Sequence, residues 1–331
     1  MTKDHKILVA YNTHAAAHTR RSTNSEDVTS FDAEASPCAY ANHHKFATDS
    51  AGDIHMVVSY GDDHPTNRYV SYRKSTDNGS TWTSQQIILD AGTSNKFYTG
   101  NIEILGNFLH ISFSKCTSSS DFLNVYHAKL NLTDFKMYNM GGTDLGTTIS
   151  LAEADANCVV FNSGVYEAYM AALHLDSNGY PHLIYSGAES GSDNVYYIKW
   201  NGSSWTSPSI ITSLYTDDYI YHDFILNSTT DIEAYLVVNH AAGLNQGGDI
   251  EKWLYNGISW SKDSTIKYAS SIGIACVGVA TDYHPDLKIL YWEINKDDYS
   301  TDLEGYVYGD IDFVGPITQD FINSLNVNTP V

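Results

Sequence analysis

Short runs of alternating apolar and polar residues recur along the chain at 7–11, 56–60, 109–113, 182–185, 235–238 and 288–291. A second set follows at 69–74, 124–130, 194–200, 249–255 and 303–308, and within it Asn124-Val-Tyr126 is echoed by Asn194-Val-Tyr196. Alternation with period two, bounded by Gly, Asn and Asp, marks half-buried strands, because successive side chains of a strand point to opposite faces. The runs predict an all-β chain of antiparallel sheets, each supplied with a second and a third strand by one member of each set.

The same units end on aromatic residues, Phe31, Trp82, Phe135, Trp205, Trp260 and Phe313, at intervals of 51, 53, 70, 55 and 53 residues. A fixed period of this length is the signature of a repeat architecture. The fullest copy of the closing segment reads Ser75-Thr-Asp77-Asn-Gly79-Ser-Thr-Trp82, with degenerate copies at Asn201-Gly-Ser-Ser-Trp205 and Asn256-Gly-Ile-Ser-Trp260. This resembles the Asp-box turn of BNR-repeat β-propellers, in which Asp and Asn bond nearby backbone N–H groups and Gly supplies a positive φ. The expectation is one domain, 1–331, folded as a six-bladed β-propeller of four-stranded antiparallel blades. The first unit starts at its second strand, so the tail is expected to return through 321–327 and close the ring. The long interval implies about 17 extra residues around 141–164, read as a loop.

Composition narrows the function. Aromatic residues make up 13% and charged residues 17% of the 331, with a net charge of −21, which would repel a phosphate backbone or an anionic membrane surface. Nucleic acid and membrane insertion are therefore not expected. The apolar run at 7–11 is too short for the core of a signal peptide, which suggests a cytoplasmic or virion-associated protein. Cys38, Cys116, Cys158 and Cys276 are widely spaced without a C-x-x-C pair and read as free thiols.

Histidine carries the candidate chemistry. Of 14 histidines, His14, His18, His43, His44, His64, His222 and His240 map to the loops that should share one face of the blades. His222 takes the position of His44 when Phe224 is aligned with Phe46. The stretch Asn42-His43-His44 through Asp49-x-x-Gly52-x-x-His55 to His64, followed by Tyr72-Arg73-Lys74-Ser75, resembles the propeller-type ulvan lyases of the BNR-repeat family. That resemblance implies β-elimination at a uronic acid. His44 and His64 would act as base and acid, Arg68 would clamp the carboxylate with Arg73 as second choice, and Tyr98 would supply a phenol. Tyr169, His43, His222 and His240 complete the expected substrate contacts.

Other classes are weighed on the same residues. A sialidase needs three arginines from different blades, whereas Arg20, Arg21, Arg68 and Arg73 all fall in the first two units. The expected chemistry requires no cofactor; zinc on converging histidines, or calcium in acidic turns such as those at Asp176 and Asp297, is the alternative. The non-enzymatic reading is a lectin-like glycan- or receptor-binding propeller, such as a virus surface or fibre protein, whose Tyr, Trp and His stack on sugar.

Overall fold

A computed structural model describes residues 2–11, 15–25, 29–60, 69–117, 121–169, 171–189, 192–213, 222–238, 248–268, 273–279, 288–294 and 304–308. The chain divides into two compact units, 1–170 and 171–331. Every second and third strand expected from the alternation is present, and within each sheet these strands pair antiparallel.

In the first unit, Leu8–Tyr11 pairs with Ala15–Arg21, which pairs with the first part of Ala35–Thr48. The chain then changes partner within that long strand. Ala41 stands opposite Ala15, whereas Asn42 stands opposite Ser59 of Ile54–Ser59. The fourth strand of one sheet thus passes into the first strand of the next without a loop, and His43 adopts a φ of 47° where the switch occurs. Tyr69–Ser75 and Gln86–Asp90 complete the second sheet. Lys96–Leu105, Phe108–Cys116 and Phe122–Asn131 form the third.

Ile54–Ser59 is buried along its whole length. Met56 and Val58 pack toward the first sheet with Ala17, Cys38 and Ala41, while Val57 joins the larger cluster around Phe97, Phe113 and Tyr126. Fully burying a side chain of this size stabilises the fold by about 1.5–3 kcal/mol. Both faces of a central strand therefore hold neighbouring sheets together.

The extra residues at 141–164 are not a loop. They interrupt the fourth strand of the third sheet, whose two halves, Met137–Tyr138 and Val159–Phe161, both pair with Phe122–Asn131. Between the halves, Ile149–Ser150 adds in parallel to Gln86–Asp90, and a short helix runs over Leu151–Asn157. Ser150 caps this helix reciprocally with Glu153, each side chain bonding the other's backbone N–H. The burial of Ile149 and Ala154 in the core explains why the segment is ordered as strand and helix.

At the opposite end of the second sheet, Ser75 donates to Asp77, whose carboxylate accepts from the Thr81 N–H at 2.8 Å and the Thr81 hydroxyl at 2.6 Å. Gly79 has a φ of 85°, and Trp82 packs edge-on to Phe46. In the second unit Asn201 and Asn256 likewise accept backbone N–H groups, at Ser203 and Ser204 and at Ile258 and Ser259.

Among the described residues, the second unit has two four-stranded sheets, Ala172–Leu175 to Ser209–Thr212 and Asp223–Ser228 to Trp260–Lys267, and three paired strands from Gly273–Val279 to Glu304–Tyr308. Asp223 joins these three sets of strands: it contacts His174 at 3.0 Å and accepts the Phe224 and Val279 N–H groups. The expected closing strand at 321–327 and the aromatic Phe313 lie outside the described residues.

Candidate active site

His43, Tyr60 and Tyr98 meet where the second and third sheets of the first unit end. The His43 ring stands edge-on to Tyr98 with centroids 4.9 Å apart, and the phenols of Tyr60 and Tyr98 are hydrogen-bonded at 2.7 Å. Tyr60 has a φ of 74° and its N–H donates to the Tyr69 carbonyl at 2.6 Å. Left-handed backbone at a bulky residue is costly, by about 1–3 kcal/mol, and persists only where surrounding contacts enforce it. Two such residues, His43 and Tyr60, aim their rings at one spot.

The cluster continues along the third sheet. Phe122 lies 5.2 Å from Tyr98 and 5.5 Å from Tyr169, whose phenol donates to Glu167; Tyr40 packs edge-on to Tyr60. Tyr98 and Tyr169, chosen from the sequence, are thus brought into one row, with Tyr60, Phe122 and Tyr40 as members the sequence reading did not assign.

His44 faces away from His43. Its ring is edge-on to Phe46 near the backbone of Ala10, and Nδ1 is buried with no hydrogen-bond partner. Burial lowers the pKa, outweighing the opposing effect of the nearby Ala10 backbone, so the imidazole is neutral around pH 7.

His64, Arg68, His14 and His240 lie outside the described residues; His64 and Arg68 belong to the segment 61–68 that joins Tyr60 to Tyr69. Arg73 is placed elsewhere: it is buried, and its guanidinium donates to the Thr83 carbonyl beside the 75–82 turn. The reason is register. Arg73 is opposite Met56, whereas the aromatic row is at the Ser59 end.

His18 is within strand Ala15–Arg21 rather than in a loop, stacked on Tyr11 and paired with Glu34 at 2.6 Å. His222, in the second unit, is buried with both ring nitrogens engaged. Nδ1 accepts the Val237 N–H, Nε2 bonds the Ser186 hydroxyl at 2.5 Å, and burial pushes its pKa down to about 3. These contacts make it a packing residue.

Asp49-x-x-Gly52-x-x-His55 is also structural, and it occurs twice. Asp49 accepts the Ala51 and Asp53 N–H groups, and His55 bridges Asp49 and the Tyr72 phenol. Asp176 does the same for Asn178 and Tyr180, with His182 on the Tyr197 phenol at 2.7 Å. Gly52 and Gly179 share φ values of 77° and 76°. The motif is a hairpin turn with a buried histidine as its keystone.

Among the described residues no group of three or more His, Cys, Asp or Glu is placed to hold a metal ion. Cys38, Cys116 and Cys158 are buried, and the Cys38 and Cys116 thiols donate to the Tyr40 and Thr117 carbonyls.

The chain is 23% identical over 274 residues to the ulvan lyase of Alteromonas sp. (strain LOR), a match covering 75% of this chain and 55% of that protein. It therefore spans about half the length of the curated relative it matches. A solved ulvan lyase superposes with a TM-score of 0.79 at 17% identity, covering 100% of this chain and 81% of the other. The α-L-arabinanase of Penicillium chrysogenum superposes with a TM-score of 0.55 at 9% identity, covering 93% and 91%. At such identities the likeness is one of fold, an all-β propeller. The BNR repeat-containing family matches residues 1–212, and the chain belongs to that family.

Proposed function

We propose that this chain is a polysaccharide lyase that cleaves a uronic-acid-containing glycan by β-elimination, on a ring of six blades closed by its C-terminal tail. The observation that carries the reading is the His43–Tyr60–Tyr98 cluster, assembled by two left-handed residues at the shared end of two sheets. Its support from kinship is the match to an ulvan lyase, one solved relative being bound to -[GlcA(1-4)Rha3S]-.

The reaction removes the proton on the carbon next to the uronate carboxylate. The freed electron pair forms a carbon–carbon double bond as the glycosidic C–O bond breaks, and the leaving oxygen takes up a proton. His43, half-buried with its ring edge-on to Tyr98, is assigned as the base in place of His44, whose ring packs on Phe46 away from that cluster. Tyr98, already hydrogen-bonded to Tyr60, is assigned as proton donor, with His64 as second acid–base group and Arg68 as the carboxylate clamp. Lys96, at the same end of the third sheet, offers local positive charge in a chain of net charge −21.

The test is absorbance of the unsaturated uronate when the protein is incubated with ulvan and other uronate polysaccharides. Turnover that falls about 10²-fold in His43→Ala and Tyr98→Phe supports the assignment. Retention of glycan without any ultraviolet-absorbing product would make the chain a binding module instead.

A further inference from the structure

Beside the buried aromatic row, the turn at 162–167 carries two exposed apolar side chains, Val165 at 86% and Tyr166 at 40% exposure. The turn follows Val159–Phe161, at the end of the third sheet where Phe161 pairs with Val125, and returns to the sheet when the Ala168 N–H donates to the Phe122 carbonyl. It therefore stands directly on the residues that lead to Tyr169.

This turn is held rigidly. Asn124, with a φ of 58°, accepts the Ser163 N–H at 3.0 Å, and its own N–H donates to the Ser163 hydroxyl at 3.0 Å. The Asn124 amide donates to the Tyr126 phenol at 2.9 Å, which donates to Asp155 on the short helix at 2.6 Å. Asn194 and Tyr196 repeat the amide–phenol bond in the second unit. In the third sheet a helix inserted into the fourth strand adds the carboxylate, and the chain Asp155–Tyr126–Asn124–Ser163 runs from that insertion to the turn.

A surface aromatic presented on preorganised backbone, continuous with an aromatic site, is built to meet a ring-shaped, partly apolar partner at low entropic cost. We propose that the 162–167 turn is a sugar-stacking subsite, with Tyr166 its platform and Val165 its apolar border, which binds a residue of the glycan beyond the pair that flanks the cleaved bond. This rests on the lyase reading and deepens it. Tyr166 acts on substrate length and affinity, while the elimination is performed by the groups around Tyr98.

The experiment compares wild type, Tyr166→Ala and Tyr166→Trp on long-chain ulvan and on its shortest cleavable oligosaccharide, with melting temperatures to verify folding. The expected result for Tyr166→Ala on the polymer is a KM raised about tenfold with kcat within about twofold, the scale of one lost stacking contact. KM on the short substrate should barely change, and Tyr166→Trp should restore polymer binding. Ser163→Ala, which loosens the clamp but leaves Tyr166 in place, should give a smaller shift in the same direction. An unchanged polymer KM in Tyr166→Ala overturns the subsite and leaves the lyase intact. If wild type makes no unsaturated product, ulvan retention is compared instead: loss of retention in Tyr166→Ala supports the subsite without the lyase. No retention by wild type overturns both.

Discussion

Lowering the pH from 7 to 5 should weaken the protein through His222, and the size of the loss follows from its burial. The imidazole is neutral in the folded chain, with Nδ1 accepting from Val237 and Nε2 bonded to Ser186, and its pKa is pushed down to about 3 from an ordinary 6.5. Below pH 6.5 the unfolded chain takes up a proton that the folded chain refuses. Stability attributable to this group is complete above 6.5 and falls with pH until about 3, at about 1.4 kcal/mol per pH unit. Between 7 and 5 the loss is about 2 kcal/mol. His222→Asn keeps an acceptor for the Val237 N–H and cannot titrate. Urea denaturation of both proteins at both pH values isolates the contribution, because His110 and His182, also held neutral by burial, contribute equally to each. Wild type should lose about 2 kcal/mol more than the variant. An equal loss in the two proteins, or a His222 resonance that titrates near 6.5, would refute the argument.

Three further outcomes are expected. Turnover on ulvan should fall on the acid side as the base takes up a proton; a limb unmoved by His43→Gln would remove His43 from the proton transfer. Asp77→Ala should cost about 1–2 kcal/mol in denaturant melts, because Ser75, the Thr81 N–H and the Thr81 hydroxyl all lose their acceptor. Gly257→Ala should lower the melting temperature, since its φ is 88° and a Cβ would meet Thr230 side-chain atoms at 2.9 Å; an unchanged melt would mean the turn relaxes freely.

Strands flanked by turn residues were legible from those turns and from their β-branched and aromatic residues, and not from one buried face, since Ile54–Ser59 is buried on both. The strand Ala15–Arg21 was not, since its Ala-Ala-Ala-His-Thr-Arg-Arg sequence has small residues where a partner strand packs close. Ala35–Thr48 was hidden by Pro37 and by the change of partner within it, which breaks any single periodicity. The helix at Leu151–Asn157 did leave a signal, Ser150-Leu-Ala-Glu153, the spacing of a reciprocal cap. In the site, His43 and Tyr98 were visible as residue types near strand ends. Tyr60 was not, because its role depends on a positive φ that no side-chain pattern announces. His222 was read as a ligand because alignment gives position along a strand and not burial, and burial decides whether an imidazole faces substrate or core.

The divided fourth strand of the third sheet has a consequence for how such chains can be altered. Met137–Tyr138 and Val159–Phe161 keep their pairing with Phe122–Asn131 although about twenty residues part them, so continuity of the outer strand is dispensable to sheet register. Gly141 and Gly142, exposed at the first turn of the excursion, are then a natural point for new chain ends or for grafting a second domain. A family with this tolerance can acquire rim elements by insertion at the periphery while the inner strands, and the chemistry they carry, stay as they were.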